Sequence, residues 1–353
     1  MQNGVYRQRR PELTPFYQLI RDHFETFRDT YDYRYDDIYG FFRGEIDAET
    51  SKYQKCGIPK YGFARVRCAG CGESFLLPFS CRSRSFCPSC MQKHMLETGD
   101  FIVHTVAEEV PHRHIVFTIP KLMRKNFYWH RESLNDLSRM AWKCTLAFMR
   151  GTLKRNGRPG AIIGIETSGQ FLDLKPHVHE VTSDGLFDDN GNFYMMPRCD
   201  DRARACLQAM WESEVSKYVI RKQYVNREPV SKVLNFRHTG FSVFLNRRVD
   251  FKKSNEESVK EFEHLARYIA KPHFSLEAMA YVKETGKVLY HGSMHPGKRR
   301  NFEIFDACDF LAAVTSHIPK KRHYAECRIM PSEVPRPCVF PVISFSFLLS
   351  YSA

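Results

Sequence analysis

The sequence predicts an α+β protein with a zinc-ribbon-like module at its N-terminal end, and three observations carry that expectation. Six of the 12 cysteines fall between residues 56 and 90. Beyond residue 100 the apolar pattern changes to short β-branched and aromatic runs that alternate with segments of helical period. Basic residues outnumber acidic ones, 53 Lys+Arg against 40 Asp+Glu, for a net charge of +13.

A chain of 353 residues suffices for two ordinary domains, and 43% hydrophobic with 26% charged residues is the composition of a globular protein, not a disordered one. The positive balance favours a polyanionic partner, nucleic acid before a membrane surface, because a basic field concentrates and steers polyanions. The opening MQNGVYRQRR has no apolar run fit for secretion, and no stretch has the length of a membrane span. The expected location is the cytoplasm, where thiols stay reduced and clustered cysteines are better explained by metal than by disulfides.

The first element expected is an amphipathic helix capped by Thr14 and started by Pro15. Phe16, Leu19, Ile20, Phe24 and Phe27 recur along it at helical spacing. A Tyr/Asp-rich stretch, residues 31–39, leads to the cysteines. Residues 114–119 (HIVFTI), closed by Pro120, read as a strand. Residues 142–153 read as a helix broken by Asn156-Gly157 and Pro159-Gly160. Residues 161–166 and 176–182 read as two strands joined by a turn, the second ending at Asp184-Gly185. Helices are expected over 203–217 and 258–270, the latter stopped by Lys271-Pro272. The expected domains are residues 1–100, residues 101–325, and an apolar tail, 326–353. The last fourteen residues, FPVISFSFLLSYSA, read as a core strand or an altered end.

Within the cysteine cluster, Cys68-Ala-Gly-Cys71 and Cys87-Pro-Ser-Cys90 are two C-x-x-C pairs fifteen residues apart. That spacing suits four thiolates around one structural Zn²⁺, which leaves no open position for catalysis. Cys56 and Cys81 either complete a second site, with a histidine such as His94, or sit buried. Arg65, Arg67, Arg82, Arg84 and Lys93 surround the cluster, with Phe63, Phe75, Phe79 and Phe86 interleaved. Basic groups on a zinc scaffold suit contact with DNA phosphates, although a solvated surface over a small aromatic core would have the same composition.

The segment Lys175-Pro-His177-Val-His179-Glu lies on the second of the paired strands. Alternation sends His177 and His179 to one face, and Glu166 at the end of the neighbouring strand is placed to bring a carboxylate to them. Two imidazoles and a carboxylate with open positions suit Mg²⁺ or Mn²⁺ on a phosphate. An H-x-H pair alone is weak evidence, since strand histidines are often ordinary core or surface groups. In FEHLARYIAKP, Val259, Phe262, Ala266 and Ile269 form the apolar stripe of a helix and leave Tyr268 on the polar side with Glu261, His264 and Lys271. A phenol there becomes a competent nucleophile only with help from a divalent ion and a cation such as Lys271.

The segments RVRCAGC, FSCRSRSFCPSC, RHIVFTIPKLMR, KPHVH followed by DGLF, LARYIAKP and FLAAVTSHIPKKRHY together resemble, in this order, the rolling-circle insertion-sequence transposases. The chain is similar in particular to their IS-ninety-one-like family, over roughly residues 50 to 325. The resemblance implies a transposase zinc-binding domain ahead of an HUH endonuclease domain, whose central antiparallel sheet is flanked by helices. It implies that His177 and His179 are the metal ligands, Glu166 the third ligand and Tyr268 the nucleophile. The implied substrate is DNA, as single-stranded or hairpin element ends and target, in a bacterial, nucleoid-associated setting. The implied reaction leaves a 5′-phosphotyrosine and a free 3′-hydroxyl, and a later strand transfer reverses the bond without a nucleotide cofactor. Some relatives carry a second tyrosine four residues before the nucleophile; His264 stands there in this chain, so a single-tyrosine reaction is implied. Past the HIP segment the chain also departs from the arginine-tyrosine-rich stretch usual in the family.

Two other functions compete with nicking. A zinc protein that only binds DNA would show affinity without metal-dependent cleavage. A metallohydrolase would use His177 and His179 on a catalytic zinc, but its usual Asp-His continuation is replaced by Glu180-Val181-Thr182.

Overall fold

The computed structural model describes residues 9–83, 85–235, 239–295, 300–320 and 328–330; Arg84 and the apolar segment 340–353 lie outside them. From the N-terminal side come α1 (Pro15–Tyr39), α2 (Gly44–Lys55), β1 (Phe63–Arg67), β2 (Ser74–Pro78) and α3 (Pro88–Phe101). The middle holds β3 (Pro111–Thr118), α4 (Lys121–Trp129), α5 (Glu132–Leu153), β4 (Ala161–Ser168), β5 (Leu174–Ser183), β6 (Gly185–Phe187), β7 (Phe193–Met195), α6 (Asp201–Arg221) and α7 (Arg227–Leu234). Then follow β8 (Ser242–Asp250), α8 (Glu256–Arg267), β9 (Met279–Val282), β10 (Lys287–His295), β11 (Arg300–Asp306), α9 (Ala307–Ser316) and β12 (Arg328–Met330).

These elements form two compact units. One comprises residues 1–96, 168–174 and 271–322, and the other 97–167, 175–270 and 323–353. The first change between units, between residues 96 and 97, falls inside α3. The first unit is nevertheless not one continuous segment, because it takes back the chain at residue 271.

In the first unit, Thr14 caps α1 as expected: its backbone is extended and its hydroxyl accepts from the Tyr17 amide at 3.4 Å. The helix runs on through the Tyr/Asp-rich stretch, since Tyr31 and Tyr35 continue the buried stripe of Phe16, Leu19, Ile20, Phe24 and Phe27. Its partner is α9, where Asp309 accepts from the Tyr35 hydroxyl at 2.6 Å and from Arg34 at 3.0 Å. The three-stranded sheet β11-β10-β9 belongs to the same unit. The long interval between these partners in sequence hid the pairing from local pattern.

The second unit is built on a sheet of order β12-β4-β5-β3-β8, with β3 antiparallel to both β5 and β8. Helices α5 and α6 cover one face, where Ile115, Phe117, Ile163, Ile165, Val178 and Val243 form a core with Leu137, Phe148, Leu207 and Trp211. Helix α8 covers part of the other face, laying Phe262, Leu265, Ala266 and Ile269 over Ile162, Val181 and Val249. An α+β protein with helices flanking an antiparallel sheet is therefore the observed architecture. Helix α5 begins ten residues before its expected start, because Leu134, Leu137 and Ala141 extend its apolar stripe. At the edge of the sheet, Asp184 is buried and accepts from Arg113 through both carboxylate oxygens at 2.9 Å, and from Arg248 at 2.5 Å. No helix among the described residues is long and apolar enough to cross a membrane.

Candidate metal centre and zinc module

Strand alternation brings His177 and His179 to the same face of β5, and Glu166 reaches them from β4. The Glu166 carboxylate oxygen lies 3.4 Å from His177 Nε2 and 3.2 Å from His179 Nε2. One ligand atom from each residue falls within 4.8 Å of the others, a donor set that fits a divalent ion with positions left open. Burial pushes the Glu166 carboxyl up, but hydrogen bonds and charge from His177 and His179 outweigh it and hold the group well below the usual carboxylate range.

The other ring nitrogens are occupied, which leaves both Nε2 atoms facing Glu166. His177 Nδ1 lies 2.7 Å from the Lys175 carbonyl oxygen and so donates to it, the arrangement in which Nε2 is the nitrogen that would ligate an ion. His179 Nδ1 lies 2.9 Å from Nε2 of His114, and the two rings are nearly parallel, at 13° with centroids 5.1 Å apart. Burial pushes the His114 imidazole down to about 3, with the charges of His179 and His177 adding to the effect. His114 thus enters the centre as a buried neutral imidazole. Sequence reading missed it, although it opens the 114–119 strand; its role depends on the pairing of β3 with β5.

Tyr268 stands at the rim. Helix α8 ends at Arg267, earlier than expected, and residues Tyr268–Ala270 form a tighter 3₁₀ turn. Ile269 is buried beneath while the Tyr268 ring, 38% exposed, is centred 5.9 Å from His114 and 6.5 Å from His179. His264, one turn earlier, meets the Tyr268 ring edge-on at 5.5 Å. Gly164, two residues before Glu166 on β4, makes this approach possible: a Cβ there would lie 2.5 Å from the Ile269 carbonyl oxygen. Lys271, expected to assist, is exposed just past the turn, in the segment that belongs to the first unit.

The sulfurs form a cluster whose membership differs from the spacing-based expectation. Cys56, Cys81, Cys87 and Cys90 converge, with Sγ separations of 3.7 Å for Cys56–Cys90 and Cys56–Cys87 and 3.6 Å for Cys81–Cys90. Four sulfurs placed tetrahedrally at ~2.3 Å from a zinc ion stand about 3.8 Å apart, so the cluster fits a structural zinc. Cys68 and Cys71, expected to complete the site with Cys87 and Cys90, are instead exposed beyond the β1–β2 ladder. That hairpin explains the correction. Phe63 pairs with Pro78 at its base and Arg67 with Ser74 near its tip, so the chain leaves Cys56, travels out through Cys68 and Cys71, and returns at Cys81. At ~3.4 Å per residue, this ladder separates base and tip by well over 10 Å.

Of the basic residues expected at DNA, Arg65 and Arg67 lie exposed on β1, bonded to the Ser74 hydroxyl at 3.2 Å and the Gly72 carbonyl at 3.3 Å. Arg82 and Lys93 are also exposed, whereas Arg84 lies outside the described residues. The interleaved aromatics divide: Phe63, Phe75 and Phe79 are exposed, while Phe86 is buried against Phe16 and Tyr53.

Comparison with known proteins agrees with both halves of this description. Residues 19–119 match the family described as "Transposase zinc-binding domain", and residues 160–328 match the family described as "Putative transposase". The chain is 25% identical over 290 residues to the transposase for insertion sequence element IS801 of Pseudomonas savastanoi pv. phaseolicola, covering 78% of this chain and 68% of that protein. No solved structure matches. A zinc module followed by a sheet-borne cluster of two histidines and a carboxylate, in a chain with these matches, is a transposase, and so acts on DNA. It belongs to the IS-ninety-one-like family of rolling-circle insertion-sequence transposases.

Proposed function

We propose that the protein transposes by an HUH-type tyrosine reaction, in which Tyr268 nicks one DNA strand and a later strand transfer rejoins it. The observation that carries this reading is the seating of the Tyr268 ring 6.5 Å from that of His179, at the rim of the His177–His179–Glu166 cluster. The Tyr268 oxygen attacks the scissile phosphorus, the bond to the 3′ oxygen breaks, and that oxygen leaves as a 3′-hydroxyl after taking a proton. The 5′ side stays joined to Tyr268. Attack by the 3′-hydroxyl of another strand reverses the bond, so the phosphodiester energy is conserved. His177, His179 and Glu166 would hold Mg²⁺ or Mn²⁺, whose contribution when bound is to draw charge from the phosphoryl oxygens. Lys271 is the cation proposed to assist the attack.

Cys56, Cys81, Cys87 and Cys90 are the proposed zinc ligands, and Arg65, Arg67, Arg82, Arg84 and Lys93 the proposed phosphate contacts. The proposed substrates are single-stranded or hairpin element ends and a target strand, met in the bacterial cytoplasm at the nucleoid. The test is incubation with single-stranded DNA from the element's own ends and Mg²⁺ or Mn²⁺, followed by denaturing electrophoresis for a covalent adduct. Wild type is expected to form one and Tyr268→Phe none. DNA affinity with no adduct at all would instead favour a zinc protein that only binds.

A further inference from the structure

We propose that the uncovered part of the His177 face is the seat of a single DNA strand, and that Phe244 is a stacking platform for a base beside the scissile phosphate. This inference rests on the reading of the centre given above and adds the residue that holds its substrate.

The two registers of β3 put Phe244 on that face. Val116 pairs with His179 on one side and with Phe244 on the other, so the three form one row across the sheet. Thr118 likewise joins His177 to Ser242 in the next row. Residues directly opposite in an antiparallel pair share a face, and neighbouring strands lie ~4.8 Å apart, so the backbone of Phe244 is about 10 Å from that of His179. Stacked nucleotides rise ~3.4 Å each along a strand, which puts Phe244 within a few nucleotides of a phosphate at the centre.

Among the described residues, no helix lies on this part of the face. On the opposite face, Ile115, Phe117, Val178 and Val243 are buried under α5 and α6. On the His177 face, α8 covers His112, Val181 and Ile162, with the Phe262 ring 4.5 Å from His112. Beyond it, Val116 and Thr118 are half-buried, Ser242 is exposed and Phe244 is 56% exposed. An exposed aromatic ring in the same row of the sheet as a metal ligand is available to stack on a flat apolar partner.

Charge and continuity select the occupant. Lys175 shares the face with His177 by alternation, and α4, which packs Met123 and Phe127 into the opposite core, opens with Lys121 just beyond the end of β3. Gly240 ties the start of β8 to that corner, a Cβ there lying 3.3 Å from Pro120. A basic residue on the same face as an exposed aromatic ring suits a single strand, whereas duplex hides the faces of its bases.

The test measures DNA affinity apart from cleavage, in the full-length chain carrying Tyr268→Phe, so that binding is read even if the nicking reaction fails. A fluorescent single-stranded oligonucleotide of mixed sequence is the probe, and the same sequence as duplex the control. Phe244→Ala should weaken single-strand binding about 10- to 100-fold and leave duplex binding unchanged, while Phe244→Trp should restore it. Unfolding curves of the variants should match the parent, as the ring is exposed. Unchanged single-strand affinity in Phe244→Ala overturns the proposal, as does an equal loss on both probes or a failure of Phe244→Trp to restore binding.

Discussion

His114 and His179 lie nearly parallel, at 13°, with Nε2 of His114 2.9 Å from Nδ1 of His179, so that an ion held on His179 Nε2 would leave the proton of that contact on His179 Nδ1 with His114 as its acceptor. Removing that acceptor leaves His179 free to present the wrong nitrogen to an ion. His114→Ala should weaken Mn²⁺ binding about 10- to 100-fold, as loss of such outer partners does elsewhere. His114→Gln, which retains an acceptor, should recover part of it. Mn²⁺ titration followed by calorimetry distinguishes the cases, and equal affinity for all three proteins would remove His114 from the centre.

Gly164 separates positioning of the nucleophile from assembly of the metal ligands. A methyl group at this position collides with the Ile269 carbonyl and lifts the turn that carries Tyr268, while Glu166 stays on its strand. Gly164→Ala should therefore bind Mn²⁺ as the parent does but form the covalent adduct about 100-fold more slowly, in line with the cost of a misplacement near 1 Å. An unchanged rate would mean that the turn is free to adjust.

The corrected sulfur cluster predicts which cysteines matter for metal content. Cys81→Ser should lower bound zinc and the melting temperature together, since Cys81 is one of four converging sulfurs. The double variant Cys68→Ser with Cys71→Ser should retain the zinc of that cluster. Elemental analysis of metal-saturated protein reads the difference, and loss of zinc from the double variant with retention in Cys81→Ser would restore the grouping that spacing suggests.

These cases mark what local pattern in the chain carries. The convergence of His177, His179 and Glu166 was legible because strand alternation is a short-range property, and the exposure of Tyr268 because helical period separates it from Phe262, Ala266 and Ile269. Cys81 and Cys56 were misgrouped because C-x-x-C spacing records distance along the chain, whereas the β1–β2 hairpin resets distance in space. His114, Gly164 and Phe244 act through strand pairings and one close backbone approach. Each requires β3, β4 or β8 to be set beside a partner far away in sequence, and no periodicity within the strand announces it. The pairing of α1 with α9 escaped for the same reason.

His112 ties the stability of this sheet to pH. Its ring is packed against Phe262 and Phe251, and burial pushes its imidazole down to about 4, opposed in part by a backbone hydrogen bond and the charge of Asp184. Because the folded value lies below the ordinary 6.5, the unfolded chain takes up a proton that the folded chain refuses. The neutral ring's contribution is thus complete above about pH 6.5 and is lost as pH falls toward 4, up to about 3 kcal/mol. His112→Phe keeps an aromatic ring between the same neighbours and removes the proton site. Denaturant unfolding near pH 7 and near pH 5 should show wild type losing more stability on acidification than His112→Phe, by an amount within that ~3 kcal/mol ceiling. Parallel losses in the two proteins would assign the acid sensitivity to other groups.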